Sequence, residues 1–500
     1  MLDKKRTEGT RLRYLRNINV RWGSIDTSDL LEMPFKETEL DRYALHPGDV
    51  LVCEGGEPGR AAVWQANDPK IKYQKALHRV RMSGGIAPDW LVYHLYLDAQ
   101  RGVLTKHLTG TTIKHLPREA FQAYLLRVAP VPEQARIVSA IESYFTRLDD
   151  AVASLERVQR NLKRYRASVL KAAVEGLLVP TEAELARAEG RSYEPASVLL
   201  SRILVERRRR WEEAELAKMT AKGRAPKDDW WKAKYVEPVA PDTSELPELP
   251  EGWCWATPDQ ITAHEDYAIG IGPFGSNLRV SDYREEGVPL IFVRNIRAES
   301  FGGDDTRYVA REKALALKPH AAKAGDVLVT KMGEPPGDAA IYPFGSPEGV
   351  ITADCIRVRR HPTLAETPFV LFAFRSSIFR EQVVRVTRGV AQKKVSLERF
   401  KGLALPLAPL AEQARVASEV DRLFSVADET QSAVERDLSR VTRLRQSILK
   451  WAFEGRLVDQ DPTDEPASVL LDRIRAERAS ATDKPPRRAR SARAAKKQGS

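Results

Sequence analysis

The sequence predicts an α+β protein: two mixed α/β domains separated by two long antiparallel coiled-coil helices, arranged as a pseudo-twofold tandem repeat. The run Glu133–Arg136 (EQAR) recurs 279 positions later as Glu412–Arg415, and Glu194–Leu200 recurs as Glu465–Leu471. Behind each EQAR run, apolar residues follow steps of three and four, the spacing typical of a coiled-coil seam. A repeat this long excludes a solenoid and indicates two related structural units.

Each long helix is predicted to have about 45 residues, or roughly 65 Å at 1.5 Å per residue. Prolines precede each helix, and Gly176 and Gly455 follow, as normal start and stop signals do. One seam per helix requires a partner. Two similar helices in one chain can pair antiparallel, which would place the globular parts at opposite ends. The alternative is that each helix packs on its own domain.

The globular parts are predicted to mix strands and helices. Short β-branched runs after a Gly-Asp turn predict strands at Asp49–Cys53 and Asp326–Thr330, and Pro289–Val293 is a third candidate. Helices are expected at Asp89–Ala99 and Thr367–Arg375.

The predicted boundaries divide the chain into six parts. They are 1–129 (first globular domain), 130–180 (first long helix), 181–248 (charged helix and proline-rich linker), 249–405 (second globular domain), 406–458 (second long helix) and 459–500 (C-terminal segment with a basic, disordered tail).

Charge and composition narrow the class of function. The net charge of +11 includes +6 in the stretch from Ala481 to Ser500, which indicates a polyanion partner. No apolar run of about 18 residues predicts a membrane span, and no secretory signal opens the chain. The three cysteines lie far apart, which fits a reducing cytoplasm.

Familiar catalytic motifs are absent from the sequence. It contains no phosphate-binding P-loop, no H-E-x-x-H and no G-x-S-x-G, and in its one G-x-G-x-x-G, Gly270–Gly275, Pro273 and Phe274 spoil the turn that a nucleotide site needs. Acidic pairs such as Asp149-Asp150 and Asp304-Asp305 are expected to be solvated surface, because such pairs rarely hold a metal alone. The sequence therefore favours binding, with catalysis on another polypeptide and no metal or cofactor on this chain.

The order of the motifs resembles the specificity subunit of type I restriction–modification systems. The resemblance covers nearly the whole chain apart from the tail. It depends on an ordered pair of motifs, each weak alone, and on a proline-rich linker that ends in a typical domain opening. These residues are Val131–Val138, Leu410–Val416, Leu170–Gly176, Leu449–Gly455 and Leu249–Trp253 (LPEGW).

The resemblance implies a division of labour. Two target-recognition domains each read half of a split double-stranded DNA site, and the paired helices set the spacing and dock two modification (methyltransferase) subunits. Those subunits carry S-adenosylmethionine, and restriction (motor–nuclease) subunits join with ATP and Mg²⁺. The chain is then a non-catalytic, cytoplasmic part of a site-specific endonuclease and adenine-DNA methyltransferase complex that defends against foreign DNA.

The first domain departs from this pattern at its start. Only 15 residues precede Arg16, whereas about 45 residues separate Leu249 from Arg294. We expect a fragment or a late start codon, which puts independent folding of the first domain in doubt.

Most candidate DNA contacts fall at matched positions in the two domains, and Ser276, Asn277 and Lys331 are further candidates in the second domain. Arginine can grip guanine and asparagine can grip adenine, while small residues with lysine suit close approach to phosphates. The alternative for each Arg-Asn pair is a strand-end turn whose Asn bonds backbone. The candidates are Arg16, Asn17, Thr111, Lys114, Ser276, Asn277, Arg294, Asn295, Lys331, Lys393 and Lys394.

Candidate subunit-docking residues open the two long helices. Capping and docking of the helix on its own domain explain the same residues without a partner. They are Glu133, Gln134 and Arg136, and Glu412, Gln413 and Arg415. For the whole chain, the rival interpretations are a stand-alone DNA-modifying enzyme and a coiled-coil scaffold without a DNA role.

Overall fold

The computed structural model describes residues 8–223, 226, 228–296, 300–303, 305–388 and 393–482, with side chains up to residue 480. Most of the basic tail predicted from the sequence, residues 483–500, lies outside the described residues. The fold divides into two compact units: a first unit within Met1–Arg157 and Val434–Ser500, and a second unit of Val158–Ala433. Each unit combines one globular domain with parts of both long helices.

The first globular domain contains two small sheets with strand orders β4-β1-β7 and β6-β5-β8, and a β2-β3 ribbon. Its strands are β1 (Thr10–Leu15), β2 (Val20–Arg21), β3 (Ser24–Ile25), β4 (Leu31–Phe35), β5 (Val50–Cys53), β6 (Ala61–Val63), β7 (Ile71–Tyr73) and β8 (Leu77–Val80). Its helices are α1 (Glu37–Leu40), α2 (Pro88–Gln100) and α3 (Arg118–Gln122).

Strand β5 shows why the sequence pattern produces this core. Alternate side chains of a strand point to opposite faces of the sheet. Val50 and Val52 pack with Leu91 and Leu95 of α2 in one core. Leu51 and Cys53 belong to a second core on the other face of the sheet, with Phe35 and Trp64. The continuous apolar run therefore reflects burial on both faces.

Three helices follow the first domain: α4 (Val131–Val174), α5 (Glu182–Glu189) and α6 (Ala196–Ala221). The 44 residues of α4 match the predicted length of about 45. The charged helix expected before the proline-rich linker is α6.

The second globular domain has a four-stranded sheet (β10-β18-β15-β16), a five-stranded sheet (β11-β13-β12-β17-β14) and the pair β19-β9. Its strands are β9 (Cys254–Ala256), β10 (Ile269–Ile271), β11 (Tyr283–Arg284), β12 (Val288–Ile291), β13 (Arg307–Val309), β14 (Ala321–Ala322), β15 (Val327–Thr330), β16 (Ala339–Ile341), β17 (Gly349–Ile351), β18 (Cys355–Val358) and β19 (Leu405–Leu407). Its helices are α7 (Arg311–Ala316), α8 (Thr367–Arg375), α9 (Ser377–Val386) and α10 (Leu397–Lys401). The second long helix, α11 (Leu410–Phe453), and α12 (Ala467–Thr482) complete the chain.

The predicted strands and helices of the globular parts are confirmed within one or two residues, and the two domains share a plan. In each, a central strand lies antiparallel to two neighbours: β5 to β6 and β8, and β15 to β16 and β18. A strand of the other sheet has one antiparallel and one parallel neighbour, as β1 has β4 and β7, and β12 has β13 and β17.

The recurring Gly-Asp motif has the same structural role in both domains. Asp49 is buried and accepts a hydrogen bond from Arg81 Nε at 2.7 Å. Asp326 is also buried and accepts from Arg359 Nε at 2.8 Å. Each carboxylate also accepts from the backbone amide three residues before it, at 2.9 Å and 2.7 Å. The motif thus ties the turn before the central strand to the residue after a neighbouring strand.

The long helices are antiparallel within each unit. In the first unit, Ile137 and Ile141 of α4 share a core with Ile448 and Ala452 of α11. Further along α4, Asp149 pairs with Arg445, which precedes those residues on α11. Rising numbers on α4 therefore meet falling numbers on α11.

The second unit contains the corresponding stretch of the same helix pair. Val169 of α4 shares a core with Val416 and Val420 of α11, and Arg166 pairs with Asp428. Here too the numbers on the two helices run in opposite directions. The predicted antiparallel coiled-coil pair is confirmed.

The segment after each long helix packs on the globular domain of the other copy. In the second unit, Leu199 and Ile203 of α6 belong to the core of the second domain. In the first unit, α12 lies so close to the first domain that a Cβ at Gly84 would be 2.5 Å from Ile474 Cγ1 and 3.2 Å from Leu470 Cδ1. Leu470 and Ile474 are the repeat equivalents of Leu199 and Ile203. The offset between equivalent residues of the two copies is 279 before α5 and 271 after it. The difference of eight corresponds to α5, an eight-residue helix without a counterpart in the second copy.

Candidate nucleic-acid interface

Each domain presents two adjoining loops, which we call the paired loops: residues 54–60 and 109–115 in the first domain, and 331–338 and the described residues 388, 393 and 394 in the second. Thr109 and His115 exchange backbone hydrogen bonds of 2.8 and 2.9 Å, and Arg388 and Lys394 exchange bonds of 3.1 and 3.0 Å. A β-bridge joins the two loops of each pair, Gly55 to His115 and Met332 to Lys394. The scaffold is therefore equivalent in both domains, although the loops differ in sequence.

The paired loops of the second domain gather several predicted contact residues. The ammonium of Lys331 lies 4.8 Å from the ring centroid of Phe274, which is 58% exposed. Lys394 Nζ lies 3.6 Å from Asp354. Burial lowers the pKa of Lys331 below its ordinary value; Asp354 opposes this effect and Lys394 adds to it. The result is a basic, partly desolvated patch beside an exposed aromatic ring.

The remaining candidates of the second domain flank this patch. Lys393 is exposed and forms a 2.6 Å ion pair with Glu334. Ser276 and Asn277 are exposed on a short 3₁₀ turn that follows Phe274. Residues 389–392 of the predicted contact loop lie outside the described residues. The sequence analysis did not select Phe274 as a contact residue. The one signal that could have done so was a large aromatic side chain between proline and glycine.

The paired loops of the first domain carry different chemistry on the same scaffold. Thr111 and Lys114 are both exposed, and they lie between Thr109 and His115. Glu54 occupies the position that Lys331 has in the second domain. The backbone oxygen of Glu54 accepts from Leu116 N, and that of Lys331 accepts from the equivalent Val395 N. One domain thus has a carboxylate where the other has an ammonium, and the two loop pairs would contact different groups.

The Arg-Asn candidates are engaged within their own domains. Arg16 donates to the Asp29 carboxylate at 2.7 Å, and Arg294 forms a 3.2 Å ion pair with Asp305. Asn295 is only 5% exposed, and its side chain binds the backbone of residues 292 and 302. For Asn295 the structure has the turn that was the alternative to base contact. Asn17 is half-buried and donates to Gly55 O at 3.2 Å.

The sequence match between Arg16-Asn17 and Arg294-Asn295 is wrong by two residues. The structural counterpart of Asn295 is Asn19, whose Oδ1 accepts from the amide three residues earlier at 2.9 Å, as Asn295 Oδ1 does. Both asparagines close a 3₁₀ turn after a strand. Sequence reasoning missed Asn19 because the identical Arg-Asn letters nearby gave a better match.

The glutamines that open the long helices hold each helix to its own domain. Gln134 is 1% exposed; its amide donates to Ala129 O at 2.7 Å and accepts from Ala87 N at 3.3 Å. Gln413 is fully buried, donates to Ala408 O at 2.8 Å and accepts from Glu366 N at 2.8 Å. In both domains the side-chain oxygen of the glutamine accepts from the residue just before a helix of the globular domain, α2 or α8. It thereby joins the long helix to the start of that helix.

The charged docking candidates at the start of the long helices contact the segments that follow those helices in the chain. Glu412 is buried and accepts from Trp253 Nε1 at 2.9 Å and from Glu182 N at 2.8 Å; burial raises its pKa. Arg415 forms a 2.7 Å ion pair with Glu182, while its counterpart Arg136 binds Asp464 at 2.8 Å. Glu133 is buried as well. These contacts agree with the intramolecular alternative.

Other charged features have structural partners. In the arginine run 207–210, Arg209 pairs with Glu206 at 2.7 Å and Glu213 at 2.5 Å, and Arg208 pairs with Glu212 at 3.1 Å. Within the described ranges, no group of three or more His, Cys, Asp or Glu could hold a metal ion. Over the same part of the chain, no helix is long and apolar enough to cross a bilayer.

Comparison with known proteins finds relatives that cover most of the chain. No family model matches the chain. It is 24% identical over 455 residues to the type I restriction enzyme EcoBI specificity subunit of Escherichia coli, covering 88% of this chain and 82% of that protein. It is 23% identical over 493 residues to the EcoKI specificity subunit of Escherichia coli strain K12, covering 95% and 90%.

A solved structure shares the fold. A chain from a study of complex assembly and conformational transition in a type I R-M system matches with a TM-score of 0.55 and 18% identity, over 90% of this chain and 93% of that chain. Two mixed α/β domains and a pair of long helices are thus a fold that this chain shares with that structure. In sequence, the chain is similar over most of its length to type I restriction enzyme specificity subunits.

Proposed function

We propose that this chain is the DNA-sequence specificity subunit of a type I restriction–modification enzyme. Residues 1–129 and 249–405 are its two reading domains, and 130–180 and 406–458 are the spacer helices. Residues 181–248 and 459–500 are the connecting and C-terminal segments. Each reading domain contacts one half of a split site in double-stranded DNA.

The observation that carries the proposal is the equivalence of the paired loops. Two domains present the same loop scaffold, but with Lys331 in one where Glu54 stands in the other. A repeated scaffold with different side chains suits recognition of two different half-sites, because base edges are distinguished by donor and acceptor pattern. In the second domain, Lys331, Lys393 and Lys394 contact phosphate or guanine, with Ser276 and Asn277 beside them; in the first, Thr111 and Lys114 take this part.

The chemistry resides on the partners. Two modification subunits supply S-adenosylmethionine and methylate adenine, and restriction subunits supply ATP- and Mg²⁺-dependent cleavage in the cytoplasm. This chain is non-catalytic and holds no cofactor of its own. An exposed side of α4 and of α11, near the first turns that contain Glu133 and Glu412, meets the modification subunits, while the side chains of Gln134 and Gln413 fix the helices to the reading domains.

Genome-wide mapping of methylated adenines tests the proposal. The chain is co-expressed with its modification subunits in a host free of other adenine methylation. The expected result is one split motif whose two halves are separated by a fixed number of unspecified base pairs. A continuous motif, or methylation that is the same without this chain, contradicts it.

A further inference from the structure

Basic side chains form a stripe along one face of α11 in the first unit. Arg436, Arg440, Arg443 and Lys450 are all exposed, and Ser447 lies between the last two. The steps of four, three, four and three residues keep these positions on one helix face. At 1.5 Å per residue the stripe is about 21 Å long.

The stripe leads into a concave site between α11 and α2. The cavity has a volume of 340 Å³. Its lining consists of cations, amides, a hydroxyl and one apolar side chain, without a carboxylate. The lining residues are Leu97, Gln100, Arg101, Arg443, Gln446, Ser447 and Lys450.

These charges are not neutralised within the described part of the chain. Arg101, Arg436, Arg440 and Arg443 have no carboxylate partner there, and Lys450 only reaches Glu454 at 4.0 Å. The contrast is the arginine run on α6, in which Arg208, Arg209 and Arg210 pair with neighbouring glutamates. Like charges at successive helix turns repel each other, so the stripe favours a bound anion.

The repeat preserves the core of the stripe. On α4, in the second unit, Arg164, Ser168 and Lys171 occupy the positions equivalent to Arg443, Ser447 and Lys450. Arg164 is likewise exposed and without a carboxylate partner among the described residues. A pattern kept in both copies fits a ligand that offers the same anionic groups repeatedly, as the backbone of duplex DNA does.

We propose that this stripe, with Arg101 beside it, binds the phosphate backbone of duplex DNA without reading its sequence. The inference rests on the proposed function and adds a second contact surface, on the helices, to the reading loops. Arginine and lysine are the usual phosphate ligands, and a duplex presents one negative charge about every 1.7 Å of its axis. The amides of Gln100 and Gln446 and the hydroxyl of Ser447 supply further donors in the cavity.

The test compares two triple variants of the full chain that remove the same charge. Arg436→Gln/Arg440→Gln/Arg443→Gln removes most of the stripe, whereas Arg208→Gln/Arg209→Gln/Arg210→Gln removes arginines already paired with glutamates. Binding to a random-sequence duplex of about 30 base pairs is followed by fluorescence anisotropy as the salt concentration is raised. Circular dichroism verifies that both variants remain folded, and Arg101→Gln is a third variant that leaves α11 untouched.

The stripe variant is expected to show a salt slope less negative by about 0.9 for each phosphate that it no longer neutralises, and the α6 variant the wild-type slope. An unchanged slope in both the stripe variant and Arg101→Gln overturns the inference. So does failure to bind the modification subunit with DNA affinity intact, which would make the stripe a protein-docking face. Methylation of a split motif by the wild-type complex tests the proposed function separately from either result.

Discussion

Arg445 of α11 forms an ion pair with Asp149 of α4, and the repeat maps this pair onto Arg166 and Asp428. Asp149 and Asp428 are equivalent, as are Arg166 and Arg445, so the same contact occurs once in each unit with the helices exchanged. Such reciprocity is what a twofold-symmetric helix pair requires. The two ion pairs therefore fix the antiparallel register of α4 against α11.

Charge reversal tests this register. Asp149→Arg is expected to lower the free energy of unfolding by about 1 kcal/mol, because it removes a half-exposed ion pair and places two like charges together. The double variant Asp149→Arg/Arg445→Asp should recover most of that decrease. Urea denaturation of the wild type, the single variants Asp149→Arg and Arg445→Asp, and the double variant gives the coupling energy, and a value of zero would mean that the pair does not stabilise the register.

The Gly-Asp motif predicts a larger effect in the second domain. Asp326→Asn should cost about 3 kcal/mol of unfolding free energy, since it breaks a buried, hydrogen-bonded pair with Arg359. Glu265→Gln is the matched control: it touches the same guanidinium at 2.6 Å but is half-exposed, and should cost less than about 1 kcal/mol. Equal decreases in the two variants, measured by chemical denaturation, would contradict the structural role of the motif.

His264 predicts a pH dependence of stability. Burial, with further contributions from His361, Arg207 and Arg210, lowers the pKa of His264 from 6.5 to about 4. The unfolded imidazole therefore binds a proton at higher pH than the folded one. Its contribution to stability is complete above pH 6.5 and is lost as the pH falls toward 4.

The non-titrating variant His264→Phe isolates this contribution. Its unfolding free energy should decline less between pH 7 and pH 5 than that of the wild type. Urea unfolding at the two pH values measures both declines. Identical declines would show that His264 does not titrate between the folded and unfolded states in this range.

Two lysine variants test the assignment of half-sites. Lys393→Ala/Lys394→Ala should weaken binding only to duplexes that carry the half-site of the second domain, because both residues lie on its paired loops. Lys114→Ala is the matched change on the first domain and should weaken the other half-site. Competition binding with duplexes altered in one half at a time distinguishes them; weakening confined to the wrong half-site would refute the assignment.

The basic tail provides a fifth prediction. Deleting Ala481–Ser500 removes a net charge of +6 and should weaken DNA binding about equally for all sequences, with a smaller salt slope. The methylated motif should remain the same. A changed motif in the truncated protein would show that the tail takes part in sequence choice.

Much of the fold could be predicted from local pattern. The β-branched run after Gly48-Asp49 and the heptad steps behind Glu133 are local signals, and both elements formed at the predicted places. The chain also repeats itself, so each copy supports the interpretation of the other. Pairing of the long helices was predictable because the apolar seam of each helix must be covered by another helix, and the chain supplies a second, similar helix.

The remaining features depend on contacts between distant residues. The packing of α12 on Gly84 joins residues almost 400 positions apart, and nothing local to Leu470 indicates which domain it covers. Asn19 was missed for a related reason: its role is set by the turn geometry, while sequence matching favoured Asn17. The engagement of Arg136 and Arg415 with Asp464 and Glu182 likewise became evident only in three dimensions.

Exchange of one reading domain tests the central claim most directly. Residues 249–405 are replaced by the corresponding domain of a relative with a different target, and methylated sites are mapped in cells that carry the modification subunits. The account predicts that one half of the motif changes while the other half and the spacing stay the same. Alteration of both halves, or of the spacing alone, would contradict it.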